Sequence, residues 1–165
     1  MNADPFKPPS SNVEIPDVER GSAVKAVVLG LLVDLGGTTL MSALASFAYG
    51  VYLAANGSTP DQIGAAMAGL GPDSALGVGL SIVGCLFSVL GGFVCARIAK
   101  HFEYRLGAIM SAVSLALGAL LVDASTHPAI AAISLLATVA ATMAGIHIGV
   151  LRNRRAGIDA ARMAS

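Results

Sequence analysis

Four long stretches of apolar residues follow one another along the chain, at residues 24–55, 75–98, 106–122 and 129–151. An α-helix rises about 1.5 Å per residue, so the three shorter stretches predict helices of about 26 to 36 Å, which match the roughly 30 Å hydrocarbon core of a bilayer. The first stretch is longer, and its helix must tilt or extend past the headgroups. We therefore predict an all-α membrane protein in which residues 23–152 form an up-down bundle of four transmembrane helices.

The segments outside these stretches are polar. Residues 1–22 contain four of the seven prolines and show neither helical nor strand periodicity, so we predict a disordered cytoplasmic N-terminal arm. Residues 153–165 are predicted to form a basic cytoplasmic tail.

The loop between the first two stretches carries its own helix signal. Thr59 and Gln62 have the spacing of a capping box, and Pro60 occupies the first helical position. Apolar residues then recur at helical spacing, which predicts a short amphipathic helix over about 60–70, lying on the outer membrane surface. It could serve as a structural anchor or as a gating lid, and the sequence leaves both open.

Composition excludes an ordinary soluble protein. Hydrophobic residues make up 55% of the chain and charged residues 12%, with a mean hydropathy of +0.76. A helix in a soluble bundle keeps a polar face for water. None of the four stretches has one, and residues 81–96 contain no ionisable side chain other than the two cysteines.

The net charge is zero, but the basic residues are segregated along the chain. All ten Lys and Arg lie in three segments: Lys7, Arg20 and Lys25; Arg97, Lys100 and Arg105; and Arg152, Arg154, Arg155 and Arg162. Short loops rich in Lys and Arg stay on the cytoplasmic side of a membrane. This alternation predicts a multi-pass protein of the inner (plasma) membrane with both termini in the cytoplasm.

Small residues recur at alternating spacings of four and three on the later spans. They are Gly77, Ser81, Gly84, Ser88, Gly91 and Cys95 on the second span, Gly107, Ser111, Ser114 and Gly118 on the third, and Ser134, Thr138, Ala141 and Gly145 on the fourth. Such a seam lets helix backbones approach closely in lipid, and it predicts left-handed packing of the bundle. The alternative is chance, because a chain with 19 glycines will show some small-residue spacing.

Asp34 is the one acidic residue expected near the middle of the membrane. It lies nine residues after Lys25, hence about 13 Å along the helix axis. A charged Asp at that depth costs about 3 kcal/mol, so we expect it to face protein or trapped water. It could be a proton or cation site, with Thr38 beside it on a stripe of small and polar residues. It could equally be a structural carboxyl that accepts hydrogen bonds from hydroxyls on neighbouring spans. His147 is a second, interfacial candidate.

Several chemistries are set aside. Cys85 and Cys95 are ten residues apart on one helix, about 15 Å, so they cannot form a disulfide with each other. The sequence shows no phosphate-binding loop, zinc-ligand spacing or nucleophile elbow. We therefore predict no enzymatic activity, no cofactor, no metal and no nucleic-acid partner.

The stretch GGFVCARIAKHFEYRLGAIMSA at residues 91–112 resembles a segment of a family of small, uncharacterised four-span bacterial inner-membrane proteins. In these proteins a GG-aromatic-V-x-x-R-I-A string closes one span and a short basic turn opens the next. The N-terminal DPFKPP is similar to the N-P-[YF]-x-P-P start of many of them, with Asp4 where the family has Asn. The resemblance implies a bacterial multi-pass membrane protein and brings with it no established activity.

Two classes of function fit these features. The first is a structural or accessory membrane protein that packs with itself or with other membrane proteins in the lipid bilayer. The alternative is a small proton- or cation-coupled transporter or channel subunit that uses Asp34. A water-filled cavity at Asp34 would favour transport.

Overall fold

The computed structural model describes residues 22–71, 74–121 and 128–164, and within these ranges the chain is helical with no β-strand. In chain order the elements are α1 (Ala23–Leu31), a π-helical turn (Leu32–Gly36), α2 (Gly37–Ala55), α3 (Pro60–Ala68), α4 (Ala75–Ala99), α5 (Glu103–Leu121) and α6 (Pro128–Ala164). Helix α1, the π turn and α2 run on from one another without a break.

Three helical stretches are long and apolar enough to cross a membrane, as expected of a multi-pass membrane protein. They are Ala23–Ala55, Ala75–Ala99 and Pro128–Gly157, whose most apolar 18-residue segments have mean hydropathies of 1.8, 2.2 and 2.1. The predicted span at 106–122 falls in α5, which is not one of the three. The first turn of α5 carries Glu103 and Arg105, and residue 122 lies outside the described ranges.

The structure describes most of the predicted C-terminal tail but only one residue of the predicted N-terminal arm. The predicted N-terminal arm lies outside the described residues except for Ser22, whose Oγ caps α1 by accepting a hydrogen bond from the Lys25 backbone N–H at 3.4 Å. At the other end α6 continues to Ala164. The predicted basic tail at 153–165 is therefore mostly a continuation of the last long helix.

The predicted capping box is confirmed. The Thr59 Oγ1 accepts from the Gln62 backbone N–H at 3.4 Å, and the Thr59 N–H donates to Gln62 Oε1 at 2.9 Å. Helix α3 then ends at Ala68, two residues before the predicted boundary. Its position on the outer surface of a membrane stays a prediction.

Helix α4 is the centre of the bundle, since it packs against α6, α1, the π turn, α5 and α2. Burial is concentrated towards the end where the tight turn at residues 100–102 joins α4 to α5. Two apolar clusters lie there: Ala26, Cys95, Ala99, Leu106 and Met110 in one, and Ala96, Ile146 and Val150 in the other.

The opposite half of the bundle is splayed. Helix α2 contains no buried residue, and large apolar side chains such as Leu44 and Phe47 are exposed along it. In a bilayer these side chains face lipid. The bundle is thus closed at the α4–α5 turn and open towards the far ends of its helices, and this asymmetry creates the cavity described next.

Candidate functional site

Asp34 lies in the π-helical turn, and its side chain is only 3% exposed. A π turn bonds residue i to i+5 and so takes more residues than an α-helical turn. On a straight α-helix, residues spaced by four drift around the axis. The π turn removes much of this drift, so Gly30, Asp34 and Thr38 all lie against α4.

Two buried serines donate hydrogen bonds to the Asp34 carboxyl. Ser88 Oγ on α4 donates to Oδ1 at 2.8 Å, and Ser114 Oγ on α5 donates to Oδ2 at 3.2 Å. The carboxyl therefore connects three segments of the chain. This geometry matches the structural interpretation of Asp34, in which hydroxyls of neighbouring spans satisfy it.

Asp34 also lies on the wall of a cavity of about 540 Å³ in the splayed half of the bundle. Its walls come from the π turn, α2, α4, α5 and α6. The lining residues are Asp34, Leu35, Thr38, Leu80, Ser81, Gly84, Cys85, Ser88, Ser114, Gly118, Ile133, Ser134, Leu135, Ala137 and Thr138. Among the described residues that line the cavity, Asp34 is the acidic side chain and none is basic.

Most of the hydroxyl groups on these walls already donate to protein acceptors. Besides the two serines on Asp34, Ser81 Oγ donates to the Gly77 carbonyl at 2.9 Å, and Thr138 Oγ1 donates to the Ser134 carbonyl at 3.0 Å. Each of these oxygens keeps a lone pair. The polar groups that remain for a guest in the cavity are therefore mainly acceptors.

His147 does not belong to this site. It is exposed on α6, and its Nδ1 lies 2.9 Å from the Tyr104 hydroxyl on α5. It does not line the cavity. Of the three candidates for an ion or proton site, the structure brings Asp34 and Thr38 together and places His147 elsewhere.

The small residues of α4 pack on two different faces. One face presents Gly84, Ser88 and Gly91 to the first helix. An added Cβ on Gly91 would meet the Gly30 carbonyl oxygen at 2.6 Å, and one on Gly30 would meet the Gly91 carbonyl oxygen at 2.9 Å. At Gly84 the nearest atom would be Thr38 Cγ2 at 3.6 Å, an ordinary contact.

The other face of α4 packs on α6; Gly145 was among the predicted packing residues, whereas Gly92 and Gly149 were not. A Cβ on Gly92 would overlap the Thr142 carbonyl oxygen, and a Cβ on Gly145 would overlap the Val89 carbonyl oxygen. An added Cβ on Gly149, four residues after Gly145, would lie 2.6 Å from the Ala96 Cβ and 3.1 Å from the Phe93 carbonyl oxygen. The spacing of Gly145 and Gly149 was the available sequence signal, since small residues four apart are typical of close helix crossings in membranes.

The remaining predicted packing residues vary in their surroundings. The Ile146 side chain covers Gly107. An ideal Cβ built on Gly118 would lie 3.4 Å from Leu135 Cδ2. Ser111 is buried, and its Oγ has no hydrogen-bond partner in the part of the chain that the structure describes. Gly77 is half-buried, and Ser81 is exposed.

The basic residues predicted to set topology are exposed, and they lie at the closed end of the bundle. They are Arg97, Lys100, Arg105, Arg152, Arg154 and Arg155. Arg97 Nη1 donates to Asn153 Oδ1 at 3.1 Å, and Asn153 Nδ2 donates to the Ala96 carbonyl at 2.9 Å. Lys100 adopts a left-handed conformation, with φ of 54°, that ends α4.

The site offers no cluster suited to a metal. Within the described residues, no group of three or more His, Cys, Asp or Glu side chains could hold an ion. Comparison with protein-family models, with curated proteins and with solved structures finds no match to this chain. The resemblance to a bacterial inner-membrane family therefore stays a prediction.

Proposed function

We propose that the chain is a four-span protein of the inner membrane, with both termini in the cytoplasm, in which the Asp34 cavity binds a proton or cation on a translocation route. It would act as a small coupled transporter or as a channel subunit. The observation that carries this proposal is the position of the Asp34 carboxyl on the wall of a cavity of about 540 Å³.

Depth makes a carboxyl in this position informative. An ionisable group in the membrane interior costs about 3 kcal/mol, and such groups typically mark ion or proton pathways. A purely structural link to Ser88 and Ser114 needs only two hydrogen bonds, and a neutral amide can make both, because its oxygen accepts from one hydroxyl and its NH2 donates to the oxygen of the other. The ability of the carboxyl to ionise beside a cavity is what a coupled transporter would use.

The arrangement of charge supports the proposed orientation. The start of α1, the α4–α5 turn and residues 152–155 of α6 lie at one end of the bundle. Ala23 and Val27 pack against the apolar cluster that contains Ala99, and Arg97 donates a hydrogen bond to Asn153. By the positive-inside rule, this closed end faces the cytoplasm. The cavity then belongs to the outer half of the membrane.

A structural role is the second candidate, and the two serine hydrogen bonds favour it. They satisfy both carboxyl oxygens and join the first helix to α4 and α5. In that case Asp34 would hold together a protein that serves as an accessory component, packing with itself or with other membrane proteins.

Replacing Asp34 by Asn separates the two roles, because Asn keeps the size and accepts hydrogen bonds but cannot ionise. We expect vesicles containing the wild-type protein to dissipate an imposed pH or cation gradient faster than vesicles containing Asp34→Asn. Asp61→Asn is the matched control, since Asp61 is exposed on α3 and should retain wild-type flux. Equal flux from the wild type and Asp34→Asn, or wild-type flux no faster than that of empty vesicles, would contradict the transport role.

A further inference from the structure

We propose that the ligand of the Asp34 cavity is a monovalent organic cation with an apolar body, rather than a bare metal ion or an anion. This inference rests on the proposed function, because it names the class of substrate that the same cavity would take. It follows from the charge, the hydrogen-bonding capacity and the size of the cavity.

The charge of the lining residues determines the sign and the size of the charge that the ligand carries. Asp34 is the acidic side chain among the lining residues, and in the part of the chain that the structure describes no Lys, Arg or His lines the cavity. A buried carboxylate in surroundings of low dielectric attracts a cation strongly and repels an anion. One carboxylate balances one positive charge.

Hydrogen bonding points the same way. Four of the six hydroxyls on the walls, those of Ser81, Ser88, Ser114 and Thr138, donate their protons to protein acceptors, whereas those of Thr38 and Ser134 can both donate and accept. What the four engaged oxygens can still offer is lone pairs, so acceptors outnumber free donors on the walls. Such walls suit the N–H groups or the positively polarised C–H groups of an ammonium ion.

Size and apolar surface exclude a bare inorganic ion. A metal cation needs several oxygen ligands within about 2 to 2.6 Å on most sides. A cavity of about 540 Å³ is too wide to supply these around one carboxylate, and its walls also include Leu35, Leu80, Ile133 and Leu135. The volume lies in the range of about 300 to 1,000 Å³ that is typical of small-molecule sites.

The close packing on the closed-end side of Asp34 determines where a ligand can enter the cavity. Towards the closed end, the backbones of Gly30 and Gly91 are so close that neither tolerates an added Cβ. A ligand on Asp34 therefore enters and leaves through the splayed half of the bundle, past Cys85 on the cavity wall.

The two cysteines provide a direct test. Cys85 lines the cavity and is half-buried, whereas Cys95 is fully buried. In lipid nanodiscs at pH 7, N-ethylmaleimide should modify Cys85 and leave Cys95 unmodified, as followed by mass spectrometry. Benzyltrimethylammonium should slow the labelling of Cys85, and phenylmethanesulfonate, an anion of similar size, should not.

Asp34→Asn is the matched variant. Without ligand, Cys85 in this variant should be labelled at the wild-type rate, which would show that the cavity is intact. The benzyltrimethylammonium concentration needed for protection should rise by at least about tenfold, since the attraction of the carboxylate is lost. Equal protection by the cation and the anion, protection that survives Asp34→Asn, or no protection at up to millimolar cation would overturn the inference.

These outcomes are separable from those of the flux experiment. Proton flux that depends on Asp34, without protection of Cys85 by the organic cation, would refute the ligand class and leave the transport role standing. Protection that depends on Asp34, without flux in vesicles, would support the ligand class and contradict transport.

Discussion

Gly145→Ala tests the tight crossing of α4 and α6 with the smallest possible change. An ideal Cβ on Gly145 would overlap the Val89 carbonyl oxygen, and it would lie 2.8 Å from the Val89 carbonyl carbon and 3.0 Å from the Phe93 nitrogen. All three atoms belong to the α4 backbone, so no flexible side chain can move aside. The two helices must separate to admit the methyl group.

The expected cost follows from two opposing terms. Overpacking a close contact costs about 1 to 3 kcal/mol, and a purely backbone contact belongs near the upper limit. Replacing Gly by Ala within a helix returns up to about 1 kcal/mol. We therefore expect a net destabilisation of about 2 kcal/mol, which corresponds to roughly a 30-fold change in the unfolding equilibrium.

Gly79→Ala on α4 is the control, because an added Cβ there meets no atom within 4 Å. It carries the same gain in helix propensity without the clash, and its stability should equal or slightly exceed that of the wild type. Unfolding of both variants would be followed by circular dichroism during titration with a denaturing detergent. Equal stability of Gly145→Ala and Gly79→Ala would show that the close contact between α4 and α6 is absent in the membrane protein.

The remaining predictions concern the carboxyl and the topology. Asp34→Leu should destabilise the protein by about 1 to 2 kcal/mol because it leaves the buried Ser88 and Ser114 hydroxyls without their acceptor, whereas Asp34→Asn should be nearly neutral; equal stability of the two variants in detergent would refute the structural link. A phosphatase that works only outside the cytoplasm should be inactive when fused after Ser165 and active when fused within residues 57–71; the reverse pattern would refute the proposed orientation.

The periodicity and length of the apolar stretches were enough to predict the long helices. The predicted bounds of the first two spans, 24–55 and 75–98, agree with the helices of the structure to within one residue. Apolar runs of this length have few alternatives to a helix in lipid. The local chemistry of Thr59 and Gln62 likewise predicted the start of α3, since a capping box depends only on residues adjacent in sequence.

The partners of each helix face could not be predicted in the same way. The alternation of small residues on α4 identified Gly84 and Gly91 as packing residues, but Gly92, one residue further along, fell outside the repeat and makes an equally close contact with α6. A repeat written along one helix describes a single seam, whereas a central helix needs a separate seam for each neighbour. Which neighbour takes which seam depends on tertiary contacts.

The π turn at Leu32–Gly36 could not be predicted from the sequence either, and it determines which helix the Asp34 side chain faces. Without the extra residue in this turn, the spacing from Gly30 to Asp34 to Thr38 would carry the stripe away from α4. With it, Gly30 reaches Gly91, Asp34 reaches Ser88, and Thr38 reaches Gly84. The same short segment therefore lies where the packing of Gly30 on Gly91 ends, and it places the carboxyl at the inner end of the cavity.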